Sequence, residues 1–370
     1  NPQDTTKWNY NVHVYPKNPL SGVDKQVTDK PAPGSGQNIT YTITTSIPKV
    51  DYPGGARIKR YEVVDQLDKR INKSTLAPVV KIVSGQQETV LADTTDYTLI
   101  TAEGTKHNWA TIQLTEEGRR KAAEARHNGN GETKVQVTLT ATFDPKSVDL
   151  EGVLSNTAGL IPNDSPNFTW DPNNPGTTTD VPGIPTTPVL SKYGKVNLTK
   201  TGTDKLDDKT KYNGAQFQVY ECTKTASGAT LRDSDPSTQT VDPLTIGGEK
   251  TFTTAGQGTV TINSLRANDY VDGVKKDALT DEDYYCLVET KAPEGYTLQP
   301  DPIPFRVLAT DAEAKVPTEV TVTDVPKNAG FRLPLTGANG VIFLTVAGAL
   351  LVVGGAVIAY ANKRRHAAKH

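Results

Sequence analysis

The chain has 370 residues, more than one compact core holds and enough for two or three domains. Its 40 basic and 42 acidic residues leave a net charge of −2, and 6% of residues are aromatic, so it has neither the charge footprint nor the stacking platforms of a nucleic-acid-binding protein. Five scattered histidines, no nucleophile motif and no metal-ligand spacing argue against an enzyme, a metal site or a cofactor. Threonine-rich alternation, 25 prolines and 30 glycines point to an all-β protein. Without a methionine the chain reads as a fragment or a processed form, so a missing signal peptide carries no information.

In chain order, residues 8–20 read WNYNVHVYPKNPL. Val12 and Val14 alternate with His13 between Tyr10 and Tyr15, which predicts a short strand. Pro16 stops the ladder and stiffens the chain, so Lys17 projects from a fixed position just past the strand end. Residues 1–19 are read as the end of a domain whose body is absent.

A second domain is expected over 20–165. Its strands include NITYTITTSI (38–47), RYEVVDQL (60–67) and TKVQVTLTATF (133–143). TEEGRRKAAEARHNG (115–129) predicts a helix capped by Thr115, with two glutamates at its start and Asn128-Gly129 at its end. A β-sandwich with one inserted helix accommodates these elements. Residues 166–190, rich in proline, threonine and glycine, are expected to form a stiff, extended strap between domains.

A third domain is expected over 191–328, opened by KVNLTKTGTD and closed by TEVTVTDVP, with strands AQFQVYEC and DYYCLVE between. Residues 329–370 differ in kind. LPLTG (Leu333, Pro334, Leu335, Thr336, Gly337) precedes a charge-free apolar run over 340–361 and then the basic tail NKRRHAAKH. About 20 apolar residues span a bilayer as a helix, and the basic tail places that end in the cytoplasm and all that precedes it outside.

Pentapeptide, apolar span and basic tail in that order resemble the cell-wall sorting signal of Gram-positive surface proteins. The resemblance implies that a sortase cuts between Thr336 and Gly337, leaving an acyl-enzyme on the Thr336 carbonyl for an amine to resolve. Trp8, Val12, Val14, Tyr15, Pro16 and Lys17 resemble the pilin motif of sortase-assembled pili, Trp-x-x-x-Val-x-Val-Tyr-Pro-Lys, and are nearest to the shaft pilins of corynebacterial and actinomycete fimbriae. By that resemblance Lys17 is the amine and the chain is a shaft subunit polymerised head to tail. Its implied partners are a pilus-specific sortase, other copies of itself, a housekeeping sortase and peptidoglycan at the base, and a tip adhesin. The rival reading, a wall-anchored adhesin or minor pilin that binds a host ligand, leaves Lys17 without work in a monomeric adhesin.

The domains resemble collagen-adhesin sandwiches of immunoglobulin-like form, A-type for 20–165 and B-type for 191–328. YYCLVETKAPEGYTL (284–298) matches the pilin E-box, with Glu289, Ala292-Pro293 and Gly295-Tyr296 at its marked positions.

Strand parity singles out the residues that carry chemistry. Leu287 and Glu289 share a face, as do Val196, Leu198 and Lys200, and also Val320, Val322 and Asp324. Three ionisable side chains therefore point into one apolar interior. Burial favours the neutral forms of amines and carboxylic acids, so Lys200 as a free amine can attack the Asp324 carboxyl carbon while Glu289 shuttles protons and water leaves. The resemblance implies the same spontaneous isopeptide bond, although such pilins more often place Asn at the acceptor position. Asn328, four residues on and in phase, is the other candidate acceptor.

In the middle domain, Lys25 is the expected nucleophile on the first strand. Asp65, in phase with Val63, is the promoting acid, and Asn156, in phase with Leu154, is the acceptor, with ammonia as product. Outside the cell, Cys222 and Cys286 are expected to form a disulfide. Its 64-position loop, 286 minus 222, would contribute about 4 kcal/mol in the loop-entropy picture.

Overall fold

The computed structural model describes residues 22–30, 38–50, 52–53, 58–129, 133–142, 152–162, 170–233 and 240–327. Lys17, Asn328, the LPLTG pentapeptide and the apolar span 340–361 lie outside these residues. Among the described residues no helix is long and apolar enough to cross a membrane. The described residues divide into two compact units, those up to 192 together with 270–275, and those of 193–269 together with 276–327.

The first unit is an antiparallel β-sandwich. One sheet has the order β1-β2-β8-β4-β5, from β1 (Val23–Thr28), β2 (Asn38–Ser46), β8 (Thr133–Thr142), β4 (Ala77–Ser84) and β5 (Gln87–Val90). The other runs β9-β3-β7-β6, from β9 (Gly152–Ile161), β3 (Glu62–Leu67), β7 (Asn108–Leu114) and β6 (Tyr97–Glu103). Threonines alternate with buried Ile39, Tyr41 and Ile43 on β2, and Lys134, Gln136, Thr138 and Thr140 alternate with buried Val135, Val137 and Leu139 on β8, so one face of each strand is core and the other is half-buried.

The helix α1 (Glu116–Asn128) has Thr115 as its cap: the Thr115 hydroxyl accepts from the Gly118 amide at 3.2 Å. Glycine is required at 118 because a Cβ there would lie 1.9 Å from the Asp96 carbonyl oxygen.

The proline-rich segment does not run free of the sandwich. It lies on the outer face of the β9-β3-β7-β6 sheet and adds a short strand, β10 (Ile184–Pro185), to β9. Trp170 packs on Trp109 with ring centroids 5.1 Å apart, and Val181 joins the cluster of Val64, Trp109 and Ile161. The Gln66 side chain donates to the Thr179 carbonyl at 2.6 Å. Partial burial of Trp170 and Val181 decides where it lies.

In the second unit, β11 (Val189–Gly202) pairs with antiparallel β15 (Thr259–Arg266) and parallel β20 (Thr318–Asp324). A second sheet has the order β13-β12-β18-β19, from β13 (Gly228–Arg232), β12 (Gln216–Thr225), β18 (Tyr284–Lys291) and β19 (Ile303–Phe305), and β14 (Phe252–Thr253) pairs with β12. A helix, α2 (Ala309–Ala314), also belongs to this unit, whereas a ribbon of β16 (Tyr270–Val271) with β17 (Val274–Lys275) belongs to the first. Val196, Leu198, Phe217, Val219, Leu287 and Val322 form the buried interior.

Candidate functional sites

Among the described residues, each unit buries a lysine between acidic or amide side chains. In the first, Lys25 on β1, Asp65 on β3 and Asn156 on β9 converge inside the sandwich, and the Lys25 and Asp65 side chains are 0% and 1% exposed. The Lys25 amine donates to Asp65 Oδ1 and, at 2.6 Å, to Asn156 Oδ1. Asn156 Nδ2 lies 3.5 Å from Asp65 Oδ2. The convergence follows from topology: β3 pairs with β9, which sets Asp65 opposite Ala158, two residues from Asn156, while β1 approaches from the facing sheet.

Burial lowers the Lys25 amine pKa, and Asp65 opposes the shift. Burial raises the Asp65 carboxyl pKa, and Lys25 with Asn156 opposes it. A dry pocket thus moves the pair towards neutral amine and neutral acid, the forms that nucleophilic attack on an amide requires.

In the second unit, Lys200 on β11 meets Glu289 on β18, at 2.9 Å from Oε1, and Asp324 on β20. All three side chains are 0% exposed. Parallel pairing sets Lys200 opposite Val322 and Gly202 opposite Asp324, so amine and acid reach each other diagonally across neighbouring strands. The amine lies within ion-pair distance of both carboxyls. Glu289 Oε2 accepts from the Gln299 amide at 2.8 Å, which fixes that carboxyl. Burial pushes the Asp324 carboxyl up to about 6, assisted by Glu289 and opposed by Lys200.

A disulfide joins Cys222 to Cys286, with Cα atoms 5.8 Å apart, on the paired strands β12 and β18. Tyr220 lies opposite Cys286 and Tyr284 opposite Cys222, so the bond crosses the ladder diagonally.

Sequence parity did not single out Tyr41. It is in phase with Ile39 and Ile43 and reads as ordinary core, yet its ring centroid is 4.7 Å from the Lys25 amine.

Residues 194–325 match the prealbumin-like fold domain model, and residues 325–368 match the LPXTG cell wall anchor motif. The chain is 87% identical over its full length to the fimbrial subunit type 1 of Actinomyces viscosus, covering 69% of that protein. The chain belongs to the fimbrial subunits. It is also 33% identical, over 97% of its length, to the fimbrial subunit type 2 of Actinomyces naeslundii, covering 64% of that protein.

Among solved structures, the fimbrial protein FimP from Actinomyces oris matches 88% of this fimbrial subunit at 86% identity with a TM-score of 0.79, over 72% of the FimP chain. The full-length major pilin SpaD of Corynebacterium diphtheriae shares the fold at 24% identity and a TM-score of 0.58, over 83% of this subunit and 65% of SpaD. The fimbrial subunit is therefore a mostly β pilin carrying an LPXTG anchor, a cell-wall-attached surface protein polymerised through sortase.

Proposed function

We propose that this fimbrial subunit is the repeating unit of a covalent pilus shaft, joined through Thr336 of one copy and Lys17 of the next. A pilus-specific sortase breaks the Thr336–Gly337 peptide bond and holds the Thr336 acyl group. The Lys17 amine of the neighbouring copy displaces the enzyme, forming an amide and releasing the sortase nucleophile. A housekeeping sortase transfers the last Thr336 acyl group to peptidoglycan at the base, and a tip adhesin caps the far end. The observation that carries this reading is the presence in one chain of the WNYNVHVYPK stretch and the LPLTG signal.

Within each subunit the buried lysines act once, on the protein itself. Lys25 displaces ammonia from the Asn156 amide, promoted by Asp65, and Lys200 displaces water from the Asp324 carboxyl, promoted by Glu289. The protein is structural and turns over no external substrate. The test is Lys17→Ala in the native host, read by immunoblot of wall extracts. High-molecular-weight ladders are expected to vanish while monomer persists at the wall, and ladders that survive overturn the reading.

A further inference from the structure

The Lys25 pocket contains a third polar group beside the acid and the amide. Tyr41 on β2 is 1% exposed and packs its ring over the Lys25 amine. Its hydroxyl lies within reach of the Asn156 side chain, which opposes the rise that burial gives the phenol pKa. Register explains the placement: Val27 pairs with Tyr41 and Lys25 with Ile43, so the tyrosine sits diagonally across from the lysine on the same buried face.

We propose that Tyr41 is a positioning residue for the Lys25–Asn156 condensation, holding the amide so that its oxygen faces the amine and its nitrogen, the leaving group, faces the phenol. The inference rests on the cross-linking reading above.

An amide has two ends, and only one orientation is productive. Oδ1 already accepts from Lys25 Nζ at 2.6 Å, and one Nδ2 hydrogen points towards Asp65 Oδ2 at 3.5 Å. The second Nδ2 hydrogen is left for the Tyr41 oxygen, and with both ends tied the amide plane cannot turn over. In the reaction Nζ bonds to Cγ, the Cγ–Nδ2 bond breaks, one Nζ proton reaches Nδ2 through Asp65, and ammonia departs. As Nδ2 changes from planar amide to amine it changes from donor to acceptor. A hydroxyl follows that change by rotating its hydrogen, with no movement of the oxygen. Burial raises the phenol pKa well above its usual range, so Tyr41 keeps its proton throughout.

The test uses the full chain made by cell-free synthesis in detergent. Synthesis is halted, aliquots are denatured at intervals, and branched peptide joining Lys25 to Asn156 is quantified by mass spectrometry. Tyr41→Phe keeps the ring and removes the hydroxyl. Bond formation is expected to slow at least tenfold at Lys25, while the Lys200 site of the same molecules keeps its wild-type rate. The midpoint of the rate's pH profile is expected to stay fixed while its plateau falls. A core loosened to water would instead move the midpoint, because burial sets the Lys25 and Asp65 protonation. Equal rates in Tyr41→Phe and wild type overturn the role of Tyr41. So does a parallel slowing at both sites, or a moved midpoint. Absence of branched peptide from the wild-type chain overturns the cross-link itself.

Discussion

The Lys25 amine lies 2.6 Å from the amide oxygen of Asn156, although 131 positions separate the two residues. It reaches from β1 in one sheet to β9 in the other, so a bond between them staples the sandwich across its core. Intact mass of the wild-type chain is expected to fall short of the sequence mass by one ammonia attributable to this site. Lys25→Ala and Asp65→Ala are each expected to restore that ammonia. By analogy with a disulfide closing a similar loop, losing the tie costs on the order of 5 kcal/mol of stability. A wild-type chain that retains the ammonia would overturn the assignment of Lys25 and Asn156.

Asp324 makes a sharper prediction, because acid and amide acceptors converge on one product. Condensation of Lys200 with Asp324 expels water, and condensation with asparagine at the same position expels ammonia. The resulting amide is identical. Asp324→Asn is therefore expected to yield a mature chain with the same mass as wild type, although its sequence mass differs. If Asn328 were the acceptor, the two mature masses would differ by the acid-to-amide change.

The burial of these residues is legible in the sequence through strand parity. Lys200 is in phase with Leu198 and Asp324 with Val322, and the structure buries all four side chains. A period of two says which face a side chain takes but not which strand lies beside it. That β11 and β20 pair in parallel, or that β3 sits between β9 and β7, is a long-range outcome with no local signature. Tyr41 escaped notice for the same reason: a tyrosine in phase with isoleucines looks like filling until its strand is placed beside β1. Proline content says nothing of the strap's course, which depends on Trp170 meeting Trp109, 61 positions away by their numbers in the chain.

Removing Lys200 leaves a buried acid that titrates. In Lys200→Met the Asp324 carboxyl remains, raised by burial and by Glu289 and no longer lowered by the amine, so its pKa is expected at or above about 6, against 3.8 in the unfolded chain. A raised carboxyl pKa means that the folded state holds its proton longer than the unfolded state does. Stability is then complete below about pH 4 and is lost as pH rises through the folded value. The loss between pH 4 and 7 is on the order of 3 kcal/mol. Thermal melts of Lys200→Met should therefore fall from pH 5 to pH 8, whereas the proposed bond would consume the carboxyl in wild type and remove this slope. Equal slopes in the two chains would overturn the bond to Asp324.

The disulfide and the Lys200–Asp324 pair hold different things. β11 and β20 run parallel and side by side, so tension entering at the start of β11 and leaving at the end of β20 shears that pair. A bond from Lys200 to Asp324 carries the load directly between the two strands. Cys222 and Cys286 lie wholly inside the bypassed loop and feel no force while it holds. In single-molecule pulling, reduction of the disulfide is accordingly expected to leave the wild-type extension unchanged. In Lys200→Met the second unit should unfold in a step of roughly 20 nm with the disulfide intact and roughly 40 nm after reduction, at about 3.5 Å per residue. A reduction-dependent step in the wild-type chain would mean that load passes through the cysteines, and the lysine tie would not be the element that bears it.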